Sequence, residues 1–183
     1  VTASDGTNST TQAITVTILD VEENGNTPVI TSSSNFTANE NQTAIGTVTA
    51  TDADGNTIIY SISGSEITIN SSSGVIAFAS APDYETKATY TAIVTASNGT
   101  NSTTQDITVN VTNVNDNNPV ITSSSTFSAA ENQTAIGTVT ATDADGDSLT
   151  YSLSGTDASS FSIGSSSGVI TFDSAPDYEI KTS

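Results

Sequence analysis

Apolar and polar residues alternate along this chain in short runs such as AIGTVTAT, IIYSI, VIAF and DITVNV, separated by Gly, Asn and Asp. A period of two sends successive side chains to opposite faces of a strand, and no run carries the 3.6-residue period of a helix. The apolar positions are mostly Val and Ile, whose β-branched side chains suit a pleated surface. The pattern predicts strands near residues 29–32, 44–51, 58–63, 66–70, 75–79, 88–96 and 104–111. It turns Ile45, Val48, Tyr60, Ile62, Ile76, Phe78, Tyr90, Ile93, Ile107 and Val109 inward. About seven short strands joined by Gly, Asn and Asp turns predict an all-β fold, an immunoglobulin-like Greek-key β-sandwich.

The pattern repeats. Residues 1–16, VTASDGTNSTTQAITV, return as residues 94–109, VTASNGTNSTTQDITV, and residues 28–54 return as 119–145. Fixed-period self-similarity signals tandem units. The expected organisation is the C-terminal part of a first repeat (1–27), a complete repeat (28–118) and the N-terminal part of a third (119–183). The copies put Ser183 opposite Thr89 and Val1 opposite Val94, so the chain reads as nearly two repeats, circularly permuted.

Charge then narrows the partners. The formal net charge is −18, and Lys87 and Lys181 are the only cationic side chains. Nucleic acid and anionic lipid are disfavoured by that field. No apolar run reaches the length of a membrane span, so direct membrane insertion is not expected. With no Cys and no His, the chain has neither a disulfide framework nor an ordinary nucleophile and base. Asp52 with Asp54 and Asp83 with Glu85 resemble paired catalytic carboxylates, but both pairs recur in the second copy, which suits structural sites. The chain is expected not to be an enzyme.

The acids themselves are patterned. Fifteen of the 20 fall in recurrent motifs: Asp5; Asp20, Glu22 and Glu23; Glu40 and Glu131; Asp52, Asp54, Asp143 and Asp145; Asp83, Glu85, Asp177 and Glu179; and Asp116. They lie at predicted strand ends and between repeats. Gathered carboxylates repel and need a counter-charge that two lysines cannot supply, whereas Ca2+ accepts six to eight oxygen ligands. Two other calcium motifs are excluded. The loops starting at Asp52 and Asp143 lack the sixth-position Gly and twelfth-position Glu of an EF-hand, and the glycine-rich nonapeptide repeat is missing.

FTANEN with Glu40, TDADG with Asp52 and Asp54, PDYE with Asp83 and Glu85, NVNDNNP from Asn113 to Pro119, and TASDG with Asp5 together resemble the cadherin repeat. Three of the five recur, through Glu131, Asp143 with Asp145, and Asp177 with Glu179. The resemblance implies Ca2+ at each junction between repeats. At one junction it implies ligands from Glu40, Asp83, Glu85, Asn113, Asn115, Asp116, Asn117, Asp143 and Asp145; at the other, from Asp20, Glu22, Glu23, Asn24, Asp52, Asp54 and Asn98. Asn98 and Asn113 depart from the family, which usually has Asp there, and the linker DVEENGNTP has two extra residues and no Asn-Asp-Asn.

The function expected is a calcium-rigidified structural or adhesive segment of an extracellular or cell-surface array, serving as stalk, adhesin or filament. Its partners would be neighbouring repeats of the same or an identical chain, with homophilic, receptor or glycan contacts at the surface. The near-identical copies and plain composition suggest a prokaryotic or viral surface protein. Two alternatives stay open: a subunit of a self-assembling fibre joined by β-strand complementation between chain ends, and a carbohydrate-binding module.

Overall fold

The computed structural model of the chain describes residues 1–19 and 25–180. Apart from one 3₁₀ turn, Ala158–Ser160, every regular element among the described residues is a strand. In chain order these are β1 (Thr2–Ser4), β2 (Ser9–Thr11), β3 (Val29–Ile30), β4 (Asn35–Asn39), β5 (Ala44–Thr47), β6 (Ala50–Thr51), β7 (Ile59–Ile62) and β8 (Ile67–Ile69). They continue as β9 (Val75–Phe78), β10 (Thr89–Ser97), β11 (Ser102–Thr112), β12 (Val120–Ile121), β13 (Ala135–Thr138), β14 (Ala141–Thr142), β15 (Phe161–Ile163) and β16 (Val169–Phe172). One sheet runs in the order β4-β11-β10-β7 and another β5-β9-β8, as in an immunoglobulin-like sandwich. The residues form two compact units.

The first unit takes Val1–Phe36, Ile45–Ala79 and Thr91–Thr108. In it β7 pairs antiparallel with β10, Tyr60 opposite Ala96, and β8 pairs with β9, Ile67 opposite Phe78 and Ile69 opposite Ile76. Val48, Ile76, Val94 and Ile107 are completely buried, and Tyr60, Ile67 and Phe78 nearly so. Each such side chain contributes about 1.5–3 kcal/mol on burial, and the stability of the unit rests on a few of them. The Tyr60 hydroxyl accepts the Ala50 N–H at 2.9 Å, which satisfies the polar tip of this buried ring. Gly74, at φ +71°, is required where it stands, because a Cβ there would lie 2.1 Å from the Val48 carbonyl oxygen.

The second unit takes Thr37–Ala44, Ser80–Tyr90 and Val109–Ser183. Here β13 pairs with β16, and β15 with β16, Phe161 facing Phe172 with ring centroids 5.3 Å apart. Gly168 repeats the constraint of Gly74: its φ is +67°, and a Cβ would meet the Val139 carbonyl oxygen at 2.1 Å. Residues 126–130 and 150–153, the counterparts of β4 and β7, form no strand. In the other copy those strands pair with β11 and β10.

Three details differ from the pattern-based expectation. The run 44–51 breaks into β5 and β6, and β4 was not anticipated at all, because NFTAN carries a single large apolar residue. In β10 the inward face belongs to Val94 and Ala96, while Tyr90 is half-buried and Ile93 is 45% exposed. Positions 90 and 93 differ by an odd number, so one strand cannot turn both inward.

Candidate metal centre

Glu40 directly follows β4 and, among the described residues, is the one buried acidic residue, 3% exposed. Its Oε2 accepts the Tyr84 N–H at 2.8 Å and its Oε1 the Val114 N–H at 2.7 Å. Two backbone donors therefore fix the carboxylate and satisfy it. The chain leaves Glu40 through Asn41, whose φ of +62° suits Asn better than most side chains, and the Asn41 N–H donates to the Pro82 carbonyl at 3.0 Å. The Asn41 side-chain amide donates to Asp116 Oδ2.

Around this anchor the segment from Asn113 to Asn117 meets the loop of Asp143, Asp145 and Asp147. Asp145 Oδ2 accepts the backbone N–H groups of Asp116 (3.2 Å) and Asn117 (2.8 Å). The Asn117 Nδ2 is within reach of three carboxylates: Asp116 Oδ1 at 2.9 Å, Asp145 Oδ1 at 3.1 Å and Glu85 Oε2 at 3.3 Å. Glu40, Glu85, Asp116 and Asp145 each bring a carboxylate oxygen within 4.8 Å of the others. A second group, Asp143, Asp145 and Asp147, shares Asp145, and Asn115 donates its amide to Asp147 Oδ2.

The electrostatics register the crowding. The Glu85 carboxyl is raised above the ordinary glutamate value, by desolvation first and then by repulsion from Glu40, Asp145 and Asp83. Asp145 is lowered, chiefly by the Asn117 amide. The Lys87 ammonium lies over the Tyr90 ring, 4.3 Å from its centroid. Close by in sequence, Asn113 donates Nδ2 to the Asp145 carbonyl at 2.9 Å while its buried Oδ1 has no hydrogen-bond partner. Converging carboxylates, together with a buried acceptor left without a partner on a residue that reaches Asp145, fit a hard, oxygen-seeking divalent cation.

The other acidic region is built differently. Asp52 Oδ1 accepts the N–H groups of Asp54 (3.0 Å) and Asn56 (3.3 Å), and its Oδ2 accepts the Asn98 amide at 2.9 Å. Both Asp54 oxygens are taken by Asn26, through its N–H at 2.9 Å and its Nδ2 at 2.5 Å. Asp52 is lowered, with the Asn98 amide as the largest cause. Among the described residues the carboxylates here are covered by N–H donors and do not converge.

The remaining candidates lie apart from these two regions. Asp83 accepts the Thr86 N–H (3.1 Å) and hydroxyl (3.0 Å) and so caps its own turn. Asp5 accepts the Thr7 and Asn8 N–H groups in an exposed turn. Glu131, Asp177 and Glu179 converge as a third group, all exposed, with Glu131 Oε2 accepting the Tyr178 N–H at 3.1 Å. Asp20, Glu22, Glu23 and Asn24 lie outside the described residues. Asp147, Asn41 and Asn26 were not among the candidates read from sequence. The Asp-x-Asp-x-Asp spacing 143–147 was a usable signal for the first, and the recurrence of Asn41 as Asn132 for the second.

Fold and site together define a chain of tandem β-sandwich repeats with carboxylate clusters at strand ends and connecting segments. A cadherin-domain family model matches residues 33–112. Human protocadherin Fat 4 is 35% identical over 205 residues, covering 100% of this chain and 4% of that protein. Mouse cadherin EGF LAG seven-pass G-type receptor 2 is 34% identical over 190 residues, covering 93% and 6%. Among solved structures, mouse cadherin-23 EC22-24 superposes with a TM-score of 0.75 at 30% identity, over 87% of this chain and 57% of that one. The extracellular cadherin domains 3-6 of protocadherin gamma B2 give 0.70 at 27%, over 92% and 47%. Residues 33–112 match the cadherin domain, and the chain is similar over most of its length to extracellular cadherin repeats. It spans only 4–6% of the length of these two curated relatives, and no helix among the described residues is long and apolar enough to cross a membrane.

Proposed function

We propose that the chain is a non-catalytic, calcium-stiffened segment of an adhesive cadherin array, with repeats divided at residues 1–27, 28–118 and 119–183. The observation that carries this reading is the convergence of Glu40, Glu85, Asp116 and Asp145 within 4.8 Å, beside the unpartnered Asn113 Oδ1. Those five residues would hold Ca2+, with Asp143 and Asp147 offering oxygens to a neighbouring ion. Calcium, when bound, supplies the positive charge that this acidic chain lacks.

The chain's own residues do the rest. Glu40 ties the start of the repeat to Tyr84 and Val114 through backbone hydrogen bonds. Asn117 and Asp116 tie the connecting segment to Asp145. In a string of repeats that touch only their neighbours, stiffness is decided in such segments. Without a cation the carboxylates repel and the segment loosens; with one, three stretches of chain would ligate a common ion. Contacts with identical chains, surface receptors or glycans belong to the same proposal.

Small-angle scattering of two intact repeats in millimolar calcium and then in chelator tests the mechanical claim. A longer maximum dimension in calcium, reversed by chelation, supports it. Identical profiles would reduce the acids to a solubilising surface.

A further inference from the structure

We propose that the Asn98 amide replaces a cation at the first acidic region, so that this region is held together without calcium. The contrast rests on the cation reading of the Glu40 region; the hydrogen bonds at Asn98 do not. Asn98 Oδ1 accepts the N–H groups of Thr100 (3.0 Å) and Asn101 (2.8 Å). Two donors on that side fix which end of the amide is oxygen. Nδ2 must then point the other way, where it donates to Asp52 Oδ2 and to the Asn26 carbonyl, both at 2.9 Å. Asn101 Nδ2 adds a bond to the same carbonyl at 3.3 Å.

Among the described residues, donors and acceptors match at Asn98, Asp52 and Asp54. The two hydrogens of Asn98 Nδ2 meet two acceptors, and Asn26 covers both oxygens of Asp54. At the Glu40 region one Asn117 Nδ2 faces three carboxylates with two hydrogens, and Asn113 Oδ1 is left bare. Among the described residues the carboxylates of the first region are matched by donors; those of the second are short of positive charge.

One residue sets the difference. Asp5, the counterpart of Asn98 in the other copy, makes the same turn, its Oδ1 accepting the Thr7 (2.9 Å) and Asn8 (2.7 Å) N–H groups. In an Asp-bearing turn the atom in place of Nδ2 is a carboxylate oxygen. At position 98 it would confront Asp52 and the Asn26 carbonyl with a third acceptor, the arrangement that attracts a divalent cation. The Asn or Asp at this position therefore decides whether the region takes an ion.

The test is a calcium titration of the whole 183-residue chain followed by amide NMR, for the native protein and for Asn98→Asp and Asn98→Ala. In the native protein the Asn98 side-chain NH2 and the Asn26 amide signals should stay in place. In Asn98→Asp, the Asn26 and Asp54 amides should gain a calcium response, and in Asn98→Ala they should not. Movement of the native Asn98 and Asn26 signals with calcium, or no gained response in Asn98→Asp, would overturn the proposal. Asp116 and Asn117 signals report the Glu40 region separately. Silence there counts against the calcium reading and leaves the Asn98 variants to decide this one.

Discussion

The two acidic regions use similar sequence to opposite ends. Around Glu40 four carboxylates converge on too few donors, Glu85 is pushed up by its neighbours, and a buried amide oxygen lacks a partner. Around Asp52 every described carboxylate oxygen is met by an N–H, and Asp52 itself is pulled down by the Asn98 amide. Counting acids does not separate a metal centre from a hydrogen-bonded junction. What separates them is whether the amides between the acids suffice.

The largest effect on this contrast should come from Glu40→Ala. It strands the Tyr84 and Val114 N–H groups in a part-buried setting and should cost about 1–3 kcal/mol in denaturant unfolding, with loss of calcium response. A loss below about 0.5 kcal/mol would show that the anchor is dispensable. Next is Glu85→Gln, which removes one repelling charge. It should raise the melting temperature in chelator and weaken calcium binding by roughly tenfold or more. Asp52→Asn, by contrast, should leave calcium binding unchanged. A chelator phenotype of the same sign in both variants would erase the distinction between the regions.

Asn98→Asp should lower the melting temperature by a few degrees in chelator, the scale of roughly 1 kcal/mol in a repeat of this size, and recover in calcium. Smallest is the pH effect in chelator. A carboxyl whose folded value is raised, as at Glu85, binds its proton more tightly when folded. Stability should therefore rise as pH falls from neutrality through that value. Asp52 and Asp145 are lowered, and their contribution should be lost only as pH falls further, below the ordinary aspartate range. Melting temperatures across pH should show a mildly acidic maximum that calcium removes.

Much of this was legible in the sequence, and the limits are physical. Period-two alternation located β5 to β11 because Val, Ile, Tyr and Phe mark one face of each strand. It missed β4, whose place is set by pairing with β11. At the candidate site, motif spacing found Glu40, Glu85, Asp116 and Asp145. It gave no way to see that Asp83 would turn to Thr86, or that the Asn98 amide would point its hydrogens at Asp52. Hydrogen-bond direction is a property of the folded turn.

The most direct measurement is a calorimetric calcium titration of the native chain beside Asp116→Asn. Saturable binding in the native protein, clearly weakened in Asp116→Asn, is the predicted result. No binding at millimolar calcium, or equal binding in both proteins, would contradict a metal centre at Glu40, Glu85, Asp116 and Asp145.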